Sequence, residues 1–372
     1  MMKVGITGQA GFVGTHLFNM LGVENDIERI AFADEFFSDE NKLRSFVRQC
    51  DVIVHLAAMN RHPEPQVIYD TNVALVEKLI AAMEAENVTP HVLFSSSTQE
   101  ERDNLYGSSK RKGRELLQAW AERNGGRFTG CVIPNVFGPF GKPDYNSVVA
   151  TFCHRMTHGE TPEIMVDGTI KLVYVGDLCR QMISLMRAGE AVNPYPVKWG
   201  AEKKVSEILE LLERFKRDYL TAGVIPHLEN EFEVQLFNTF CTYIELEKFF
   251  PFKLKSNRDP RGTFVEVARL DRIGGQVSFS TTNSGITRGN HWHTRKIERF
   301  AVIKGQARIE LRRIGTDEKY TFDLNGDEPA FVDMPVWYTH NITNTGDSEL
   351  LTMFWINEFY NPDDPDTFFE EV

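Results

Sequence analysis

The stretch KVGITGQAGFVG at residues 3–14 decides the fold of the N-terminal part of the chain. Residues 3–7 are a short apolar run, and residues 15–21 have the pattern of a helix. Glycines at a strand-to-helix turn let the main chain approach a pyrophosphate, which then lies at the helix N-terminus. We therefore predict a dinucleotide-binding turn with contacts from Gly8, Gly11, Phe12, Val13 and Gly14.

Two further buried strands follow this turn. Residues 51–58 (DVIVHLAA) and 91–97 (HVLFSSS) are apolar runs that end in small or hydroxyl-bearing residues, and residues 71–86 have helical periodicity. Strands that alternate with helices form parallel βαβ units, whose ligands bind beyond the carboxyl ends of the strands. We predict an α/β, Rossmann-like, doubly wound sheet, with Leu56, Ala57 and Ala58 beside the cofactor.

Tyr106 and Lys110 are spaced i, i+4 and would share one face of a helix. A phenol titrates at about 10, and a neighbouring cation lowers that pKa and makes the group useful for proton transfer. A serine at the end of the preceding strand can hydrogen-bond the substrate carbonyl oxygen with which the phenol exchanges its proton. Such a pair is common on exposed helices, but the upstream glycine and serine motifs favour a catalytic pair here.

Residues 1–245 resemble the extended short-chain dehydrogenase/reductases of the nucleotide-sugar type. The matching motifs are TGxxGFVG (7–14), HLAA (55–58), FSSS (94–97), YGSSK (106–110), PNVFGP (134–139) and VYVGD (173–177). The resemblance implies that Tyr106 is the acid–base residue and that Lys110 lowers its pKa and holds the nicotinamide ribose. It also implies that Ser97, with Ser96 beside it, orients the keto group, and that Asn135 lies near the nicotinamide and the sugar nucleotide.

The chain departs from this family after the first helix. Asp34 lies only 17 residues before Asp51, so the second strand and its helix look shortened or absent. That removes the position where an acid usually reads the ribose 2′-hydroxyl of NAD. This segment therefore does not distinguish NAD from NADP, and Asp34 either contacts the adenine end or caps a turn. The family resemblance implies NADP, with NAD as the alternative.

The last third has a different pattern. From residue 264 onward short alternating runs dominate, such as QVSFS at 276–280 and ARIEL at 307–311, and glycine turns separate many of them. This is typical of an antiparallel sandwich or barrel. We place the boundary at residues 245–257, so that the second domain comprises residues 256–372.

A metal-binding pattern falls in this part. Two histidines one residue apart point the same way from a strand, and three imidazoles with one carboxylate suit zinc or another divalent ion. The patterns G-x5-H-x-H-x4-E-x6-G (285–305) and P-x4-H-x3-N (335–344) resemble the two cupin motifs, except that Trp337 replaces a usual glycine. The resemblance implies a jelly roll in which four side chains bind a metal ion: His291, His293, Glu298 and His340. The alternative is a metal-free cupin in which the same four side chains are hydrogen-bonded inside the barrel.

The same segment also resembles the cupins that epimerise deoxy-4-ketosugar nucleotides, through DPRGTFVE (259–266) and RGNH (288–291). There, the resemblance implies that His291 removes a proton beside a ketone. Because a zinc-bound imidazole has no lone pair left, His291 is either a ligand or the base. If it is a ligand, the base is another residue, such as Glu266, Lys296 or Tyr338. Arg261, Arg288 and Lys296 are the expected substrate contacts in this domain.

The whole chain resembles the bifunctional capsular-polysaccharide and O-antigen enzymes of the CapF type. That resemblance implies C3 epimerisation of UDP-2-acetamido-2,6-dideoxy-hexos-4-ulose in the cupin and NADPH-dependent C4 reduction in the reductase, giving UDP-N-acetyl-6-deoxy-L-talosamine on the route to N-acetyl-L-fucosamine. It also implies a homodimer through the cupin. One alternative is a reductase whose cupin is a zinc-stabilised dimerisation module. The other is a sensor that holds NADP without turnover, which the intact Tyr106–Lys110 pair disfavours.

The composition excludes several partner classes. The net charge of −12 argues against general nucleic-acid binding. No apolar run approaches the ~20 residues that span a bilayer, and the chain opens with a strand rather than a signal peptide. The five scattered cysteines are typical of reduced thiols. We expect a cytoplasmic enzyme without nucleic-acid or membrane partners.

Overall fold

The protein is described from a computed structural model, which covers residues 1–259, 262–265, 267–270, 275–358 and 361–372. Of residues 256–259, 262–265 and 269–270 only the main chain is described.

Up to residue 204 the elements are β1 (Met2–Thr7), α1 (Phe12–Leu21), β2 (Ile27–Ile30), α2 (Glu40–Gln49), β3 (Val52–His55), α3 (Pro65–Glu86), β4 (His91–Ser97), α4 (Leu105–Asn124), β5 (Arg127–Ile133), β6 (Asn135–Phe137), α5 (Val148–Thr157), β7 (Thr169–Tyr174), α6 (Val175–Ala188), β8 (Tyr195–Pro196) and β9 (Ala201–Lys204). Beyond it they are α7 (Val205–Phe215), β10 (Val224–Ile225), α8 (Glu231–Cys241), α9 (Leu246–Phe249), β11 (Phe252–Lys253), β12 (Ser256–Asp259), β13 (Gly262–Val265), β14 (Arg269–Leu270), β15 (Gln276–Thr282), β16 (Thr287–Trp292), β17 (Glu298–Lys304), β18 (Gln306–Arg313), β19 (Lys319–Asn325), β20 (Ala330–Met334), β21 (Tyr338–Asn344), β22 (Leu350–Ile356) and β23 (Phe368–Phe369). Single turns of 3₁₀-helix span Asp34–Ser38 and Thr98–Glu101, and a π-helical turn spans Lys216–Thr221.

The chain folds as two compact units. The first contains Met1–Phe137, Asp144–Ser147 and Thr169–Lys203, and the second contains Gly138–Pro143, Val148–Gly168 and Lys204–Val372. The predicted boundary at 245–257 marks the change from mixed to β-rich chain. The two compact units do not divide at this boundary, because helices α5 and α7–α9, which precede it in the chain, belong to the same unit as the β-rich part.

The first unit is built on a parallel sheet with the strand order β2-β1-β3-β4-β5-β8. Strand β3 is buried along its whole length, as expected for a central strand covered on both faces. A single strand, β2, flanks β1 on its outer side, in agreement with the short interval between Asp34 and Asp51. The predicted α/β Rossmann-like fold is confirmed.

Helices α3 and α4 cover this sheet through a core that includes Val76, Phe94, Leu117 and Trp120. Helix α4 begins after Asn104, whose side chain accepts a hydrogen bond from Gly107 N at 2.7 Å and so caps the helix. Tyr106 and Lys110 therefore lie in the first turns of a helix that the core fixes firmly. Every helix in the described part of the chain is too short or too polar to cross a bilayer.

The second unit contains two antiparallel five-stranded sheets, ordered β11-β20-β17-β22-β15 and β19-β18-β21-β16-β23. This arrangement agrees with the predicted jelly roll. Trp337, which replaces the usual glycine of the second cupin motif, has a φ of +66°, in the left-handed region that favours glycine. Its ring lies 4.9 Å from that of Trp292 and is buried, so packing retains an unfavourable main-chain conformation.

A fully buried ion pair joins the β-rich and helical parts of the second unit. Arg299 donates to both carboxylate oxygens of Asp333, at 2.8 and 2.9 Å, and to the Gly223 carbonyl at 3.1 Å. The Tyr219 hydroxyl donates to the same carboxylate. All three side chains are at most 2% exposed, so each charge depends on its partner.

We predict that Asp333→Ala lowers the free energy of unfolding by about 3–5 kcal/mol, because it leaves the Arg299 charge buried and unpaired. Tyr219→Phe should cost less, about 1.5–3 kcal/mol, since the ion pair survives. Equilibrium urea unfolding measures both.

The matched control is Asp323→Ala, which breaks a second cross-strand Arg–Asp pair with Arg308 whose side chains are 49% and 67% exposed. This change should leave stability nearly unchanged, because water and salt screen the pair. Equal losses of unfolding free energy in Asp333→Ala and Asp323→Ala would contradict the structural role of the buried pair.

Candidate cofactor and metal sites

The glycine-rich turn of the first unit is packed tightly against the end of β3. Gly8 has a φ of +70°, and a Cβ there would lie 2.7 Å from Ala57 N. A Cβ on Gly14 would lie 2.2 Å from the Gly8 carbonyl oxygen. Larger residues would therefore push the turn away from the strand and from any ligand above it.

Helix α1 presents an open N-terminus at this turn. Gly11 occupies the N-cap position, no side chain caps the helix, and the first turn, with Phe12 and Val13, contains no acidic residue. The free main-chain N–H groups and the helix dipole favour an anion here. The turn therefore fits a dinucleotide pyrophosphate, as predicted for Gly8, Gly11, Phe12, Val13 and Gly14.

The segment Leu56, Ala57 and Ala58 is fixed beside the turn by hydrogen bonds. Thr7 O accepts from Leu56 N at 3.1 Å, and Thr7 Oγ1 lies 2.7 Å from His55 Nδ1. Burial, and then the charge of Lys110, lower the pKa of His55 to about 3. His55 is therefore neutral and acts as a packing residue below the predicted cofactor contacts.

Tyr106 and Lys110 lie together on α4, with Lys110 Nζ 5.8 Å from the centre of the phenol ring. The sequence predicted that Lys110 lowers the pKa of the phenol. The direction is wrong: burial, and then Tyr145, raise the pKa of Tyr106 to about 12. The ammonium donates to Ser95 Oγ at 3.4 Å and faces the Phe94 ring, so it does not offset the burial of Tyr106.

The serine cluster separates into different roles. Ser96 is buried and donates to Glu100, whose carboxylate also accepts from Arg114 at 2.7–3.1 Å. The Ser97 hydroxyl accepts from Gln99 N at 3.2 Å and caps the following turn. Glu100 and Arg114 were not predicted, because only the folded turn brings their side chains together.

Two other predicted contacts of the first unit are exposed. Asp34 begins the 3₁₀ turn that follows β2. Asn135 begins β6, and its side-chain amide donates to the Lys171 carbonyl at 3.2 Å. Both are accessible to a ligand.

The second unit brings all four predicted metal ligands together. Their donor atoms lie within 4.8 Å of one another. Glu298 Oε2 is 3.0 Å from His340 Nε2 and 3.7 Å from His291 Nε2, and Glu298 Oε1 is 3.5 Å from His293 Nε2. His293, Glu298 and His340 are buried, and His291 is partly exposed, so the cluster has one open side.

The tautomers favour a metal. His293 Nδ1 donates to the Asp366 carbonyl at 2.5 Å, and His340 Nδ1 donates to the Tyr338 carbonyl at 3.2 Å. When these rings are neutral, their Nε2 atoms therefore turn lone pairs toward the Glu298 carboxylate. His293 Nε2 has no hydrogen-bond partner among the described residues. Electron-rich atoms at these distances require a proton or a cation between them, and this donor set fits zinc.

Burial lowers the pKa of His293, but Glu298 and Asp366 together raise it above its usual value, so this ring and the carboxylate share a proton unless a cation takes its place. Burial opposes the charge of Glu298, but the three imidazoles around it together hold the pKa of its carboxyl well below the usual range. Burial lowers the pKa of His340, which keeps that ring neutral. The carboxylate and the neutral imidazole are the forms that bind metal.

The remaining predicted residues of this unit are placed differently. Arg288 is exposed on β16, and the Lys296 ammonium is buried and donates to the Pro365 carbonyl. Tyr338 is buried beside Phe140, and burial raises the pKa of its hydroxyl. Arg261 and Glu266 lie outside the described residues. Asp366, which contacts His293, was not predicted.

Known proteins share both halves of the chain. Residues 4–197 match the NAD dependent epimerase/dehydratase family, and residues 257–368 match the polysaccharide biosynthesis C-terminal domain. A UDP-2-acetamido-2,6-beta-L-arabino-hexul-4-ose reductase of Pseudomonas aeruginosa is 36% identical, over 99% of this chain and 98% of the relative.

Solved structures give the same result. The capsular polysaccharide assembling protein CapF of Staphylococcus aureus is 34% identical, with a TM-score of 0.64 over 100% of both chains. The Pseudomonas aeruginosa protein RMD, solved in complex with NADPH, is 24% identical with a TM-score of 0.53, over 58% of this chain and 83% of RMD, and shares the fold of the N-terminal part. The chain therefore belongs to the NAD dependent epimerase/dehydratase family and, over its whole length, to the CapF type of nucleotide-sugar reductase/epimerase in polysaccharide biosynthesis.

Proposed function

We propose that the chain is a bifunctional enzyme of UDP-linked 4-ketosugars. The cupin domain (256–372) epimerises C3 of UDP-2-acetamido-2,6-dideoxy-hexos-4-ulose, and the reductase domain (1–245) reduces C4 with NADPH to give UDP-N-acetyl-6-deoxy-L-talosamine. The observation that carries this proposal is the presence of two separate constellations, the Tyr106–Lys110 pair and the four-ligand cluster. The substrate class follows the name of the Pseudomonas aeruginosa reductase.

In the reductase half, Tyr106 is the general acid. A pKa of about 12 keeps its phenol protonated at neutral pH, which is the form needed to donate a proton to the C4 oxygen. Burial lowers the pKa of Lys110 to about 8, so this side chain is still mainly cationic at neutral pH. Its positive charge stabilises the negative charge that develops on the C4 oxygen during hydride transfer. Ser97 orients the keto group, while Ser96 is occupied by Glu100.

The glycine turn and the start of α1 hold the cofactor, with Leu56, Ala57, Ala58, Lys110 and Asn135 along its length. When bound, the nicotinamide supplies the hydride that C4 receives. We propose NADPH as this cofactor, with NADH as the alternative. Asp34, exposed at the start of the turn after β2, either contacts the adenine end of the cofactor or caps that turn.

In the cupin half, the ketone at C4 acidifies the proton at C3, so a positioned base can remove that proton, and return of a proton to the opposite face inverts the carbon. We propose that His291, His293, Glu298 and His340 hold a zinc ion. When bound, it acts as a Lewis acid toward the sugar oxygen. The grouping of His291 Nε2 with the other three ligand atoms supports its role as a ligand rather than the base. Arg288, which is exposed on the same strand as His291, is the proposed contact for the diphosphate.

A second candidate function is reduction alone, with the cupin as a zinc-stabilised dimerisation module. It is favoured by the name of the Pseudomonas aeruginosa relative, which states reduction only. Hydrogen exchange at C3 distinguishes the two functions, because a dimerisation module has no means to remove that proton.

We propose a homodimer formed through the β-rich part of the second unit. Strand β15 lies at the edge of its sheet and exposes Val277 and Phe279, which are 55% and 75% accessible. Exposed apolar edge strands are suited to pairing with a second chain. We also propose a cytoplasmic location, because all five cysteines are free and buried.

Tyr106→Phe should abolish NADPH oxidation with a UDP-linked 4-ketosugar in deuterated water, yet leave deuterium entering at C3. Loss of a positioned acid lowers the rate by roughly 10²–10⁴. Absorbance at the reduced-nicotinamide band and NMR of the recovered sugar measure the two steps. The control is Tyr195→Phe, whose hydroxyl contacts Gln181 at 3.3 Å, and it should retain both activities. Absence of deuterium at C3 in both the wild type and Tyr106→Phe would sink the epimerase assignment and favour the dimerisation module.

His293→Ala should remove bound zinc and stop deuterium exchange at C3, because it deletes one of the four ligands. Reduction of the already epimerised ketosugar should continue, since the Tyr106–Lys110 pair is unchanged. Metal content per chain and the exchange assay measure the effect, with the exposed His158→Ala of the same unit as the control. Full exchange in metal-depleted His293→Ala would show that the metal has no part in epimerisation.

Phe279→Lys should convert the proposed dimer into a monomer, because it places a charge in the apolar edge. Light scattering coupled to size exclusion measures the mass in solution. Met165→Lys, at a side chain that is 89% exposed outside β15, should leave the mass unchanged. A wild-type monomer, or a Phe279→Lys dimer, would rule out this edge as the interface.

A further inference from the structure

We propose that Asp366 is a positioning residue of the four-ligand cluster. Its main-chain carbonyl orients His293, and its carboxylate fixes the loop between the ligands His293 and Glu298. The inference rests on the proposed metal site and assigns that site a supporting residue from the C-terminal segment.

The carbonyl contact fixes one ligand directly. Asp366 O accepts from His293 Nδ1 at 2.5 Å, so the proton of that ring is held on Nδ1 and the lone pair of Nε2 faces Glu298. Hydrogen bonds of this kind set the tautomer, orientation and basicity of metal-binding histidines. The ring is 2% exposed, so water does not replace this contact readily.

The carboxylate of the same residue organises the intervening loop. It accepts from the Thr294 hydroxyl at 2.6 Å and from the main-chain N–H groups of Thr294, Arg295 and Lys296 at 2.9–3.2 Å. These residues join His293 to β17, which begins with Glu298. One buried side chain therefore satisfies successive main-chain donors and sets the distance between two ligands.

The main-chain conformation of Asp366 is strained, so the contacts described above must hold it in place. Its φ is +40°, a region that non-glycine residues seldom adopt, and it is 4% exposed. Strain of this kind persists only where the surrounding contacts outweigh it. The four hydrogen bonds to residues 294–296 supply that stabilisation.

The C-terminal segment is attached on both sides of Asp366. Before it, the Pro365 carbonyl accepts from the buried Lys296 ammonium. After it, Phe368 packs 4.8 Å from the Trp292 ring, and β23 pairs with β16 at His291 and Trp292. The segment thus lies along β16, which carries His291 and is followed directly by His293, and presents Asp366 to the loop after that strand.

The decisive variant is Asp366→Gly, because glycine accepts the positive φ and retains the carbonyl while it removes the carboxylate. We expect the affinity for Zn²⁺ to fall about 10–100-fold, measured by competition with a chromophoric chelator at fixed pH. Asp366→Asn keeps one acceptor oxygen and should lie between Asp366→Gly and the wild type. Glu371→Gln removes one exposed carboxylate from the same segment and should bind as the wild type does.

A second measurement separates positioning from general stability. The visible spectrum of the Co²⁺-loaded protein reports ligand geometry and should change in Asp366→Gly but not in Glu371→Gln. A residue that only stabilised the fold would lower the melting temperature of the metal-free protein and leave the affinity and the spectrum unchanged. That result would overturn the inference. If Asp366→Gly does not fold, the same comparison is decided with Asp366→Asn.

The wild type makes the two proposals separable. If the wild-type chain takes up no Zn²⁺ or Co²⁺, the proposed metal site is wrong, and this inference is wrong with it. If the wild type binds zinc and both Asp366 variants bind it equally tightly, only the positioning role is wrong. Both proposals are supported if the affinity for Zn²⁺ falls in Asp366→Asn and falls further in Asp366→Gly, while Glu371→Gln binds as the wild type does.

Discussion

The second unit depends on one buried carboxylate. Glu298 lies on β17 in one sheet, whereas His291, on β16, and His340, on β21, belong to the other sheet. An unpaired charge at this depth would be very costly, so the strands must bring imidazoles to it. The cluster therefore connects the two sheets at the site where the proposed epimerisation occurs. Its one partly exposed member, His291, marks the side from which a substrate would approach.

The first unit meets a different requirement. A reductase needs a phenol that keeps its proton until the keto oxygen receives it, and burial of Tyr106 provides this. The neighbouring Lys110 is also buried, where it faces Phe94 and donates to Ser95. The low polarity of the buried surroundings therefore has opposite effects on Tyr106 and on Glu298. It keeps a phenol neutral in one unit, and in the other it strengthens the attraction between the Glu298 carboxylate and the proposed metal ion.

Features with a local pattern were predictable from the sequence, and features made by distant contacts were not. The glycine turn, the parallel strands and the H-x-H spacing depend on residues close together in the chain. Asp366 lies 73 residues from His293, and Glu100 meets Arg114 only after the turn folds. The pKa of Tyr106 was predicted in the wrong direction because the residue types show the cation but not the burial. Trp337 is a further case, since only packing on Trp292 explains how it replaces glycine.

On the proposed function, the chemistry itself fixes the order of the two steps. Removal of the C3 proton requires the C4 ketone, because the carbonyl delocalises the negative charge that develops. Reduction at C4 destroys that ketone and so locks the configuration at C3. Epimerisation alone interconverts two ketosugars of similar stability, whereas hydride transfer draws the inverted one forward. A chain that carries both sites therefore keeps the reversible step coupled to the step that consumes its product.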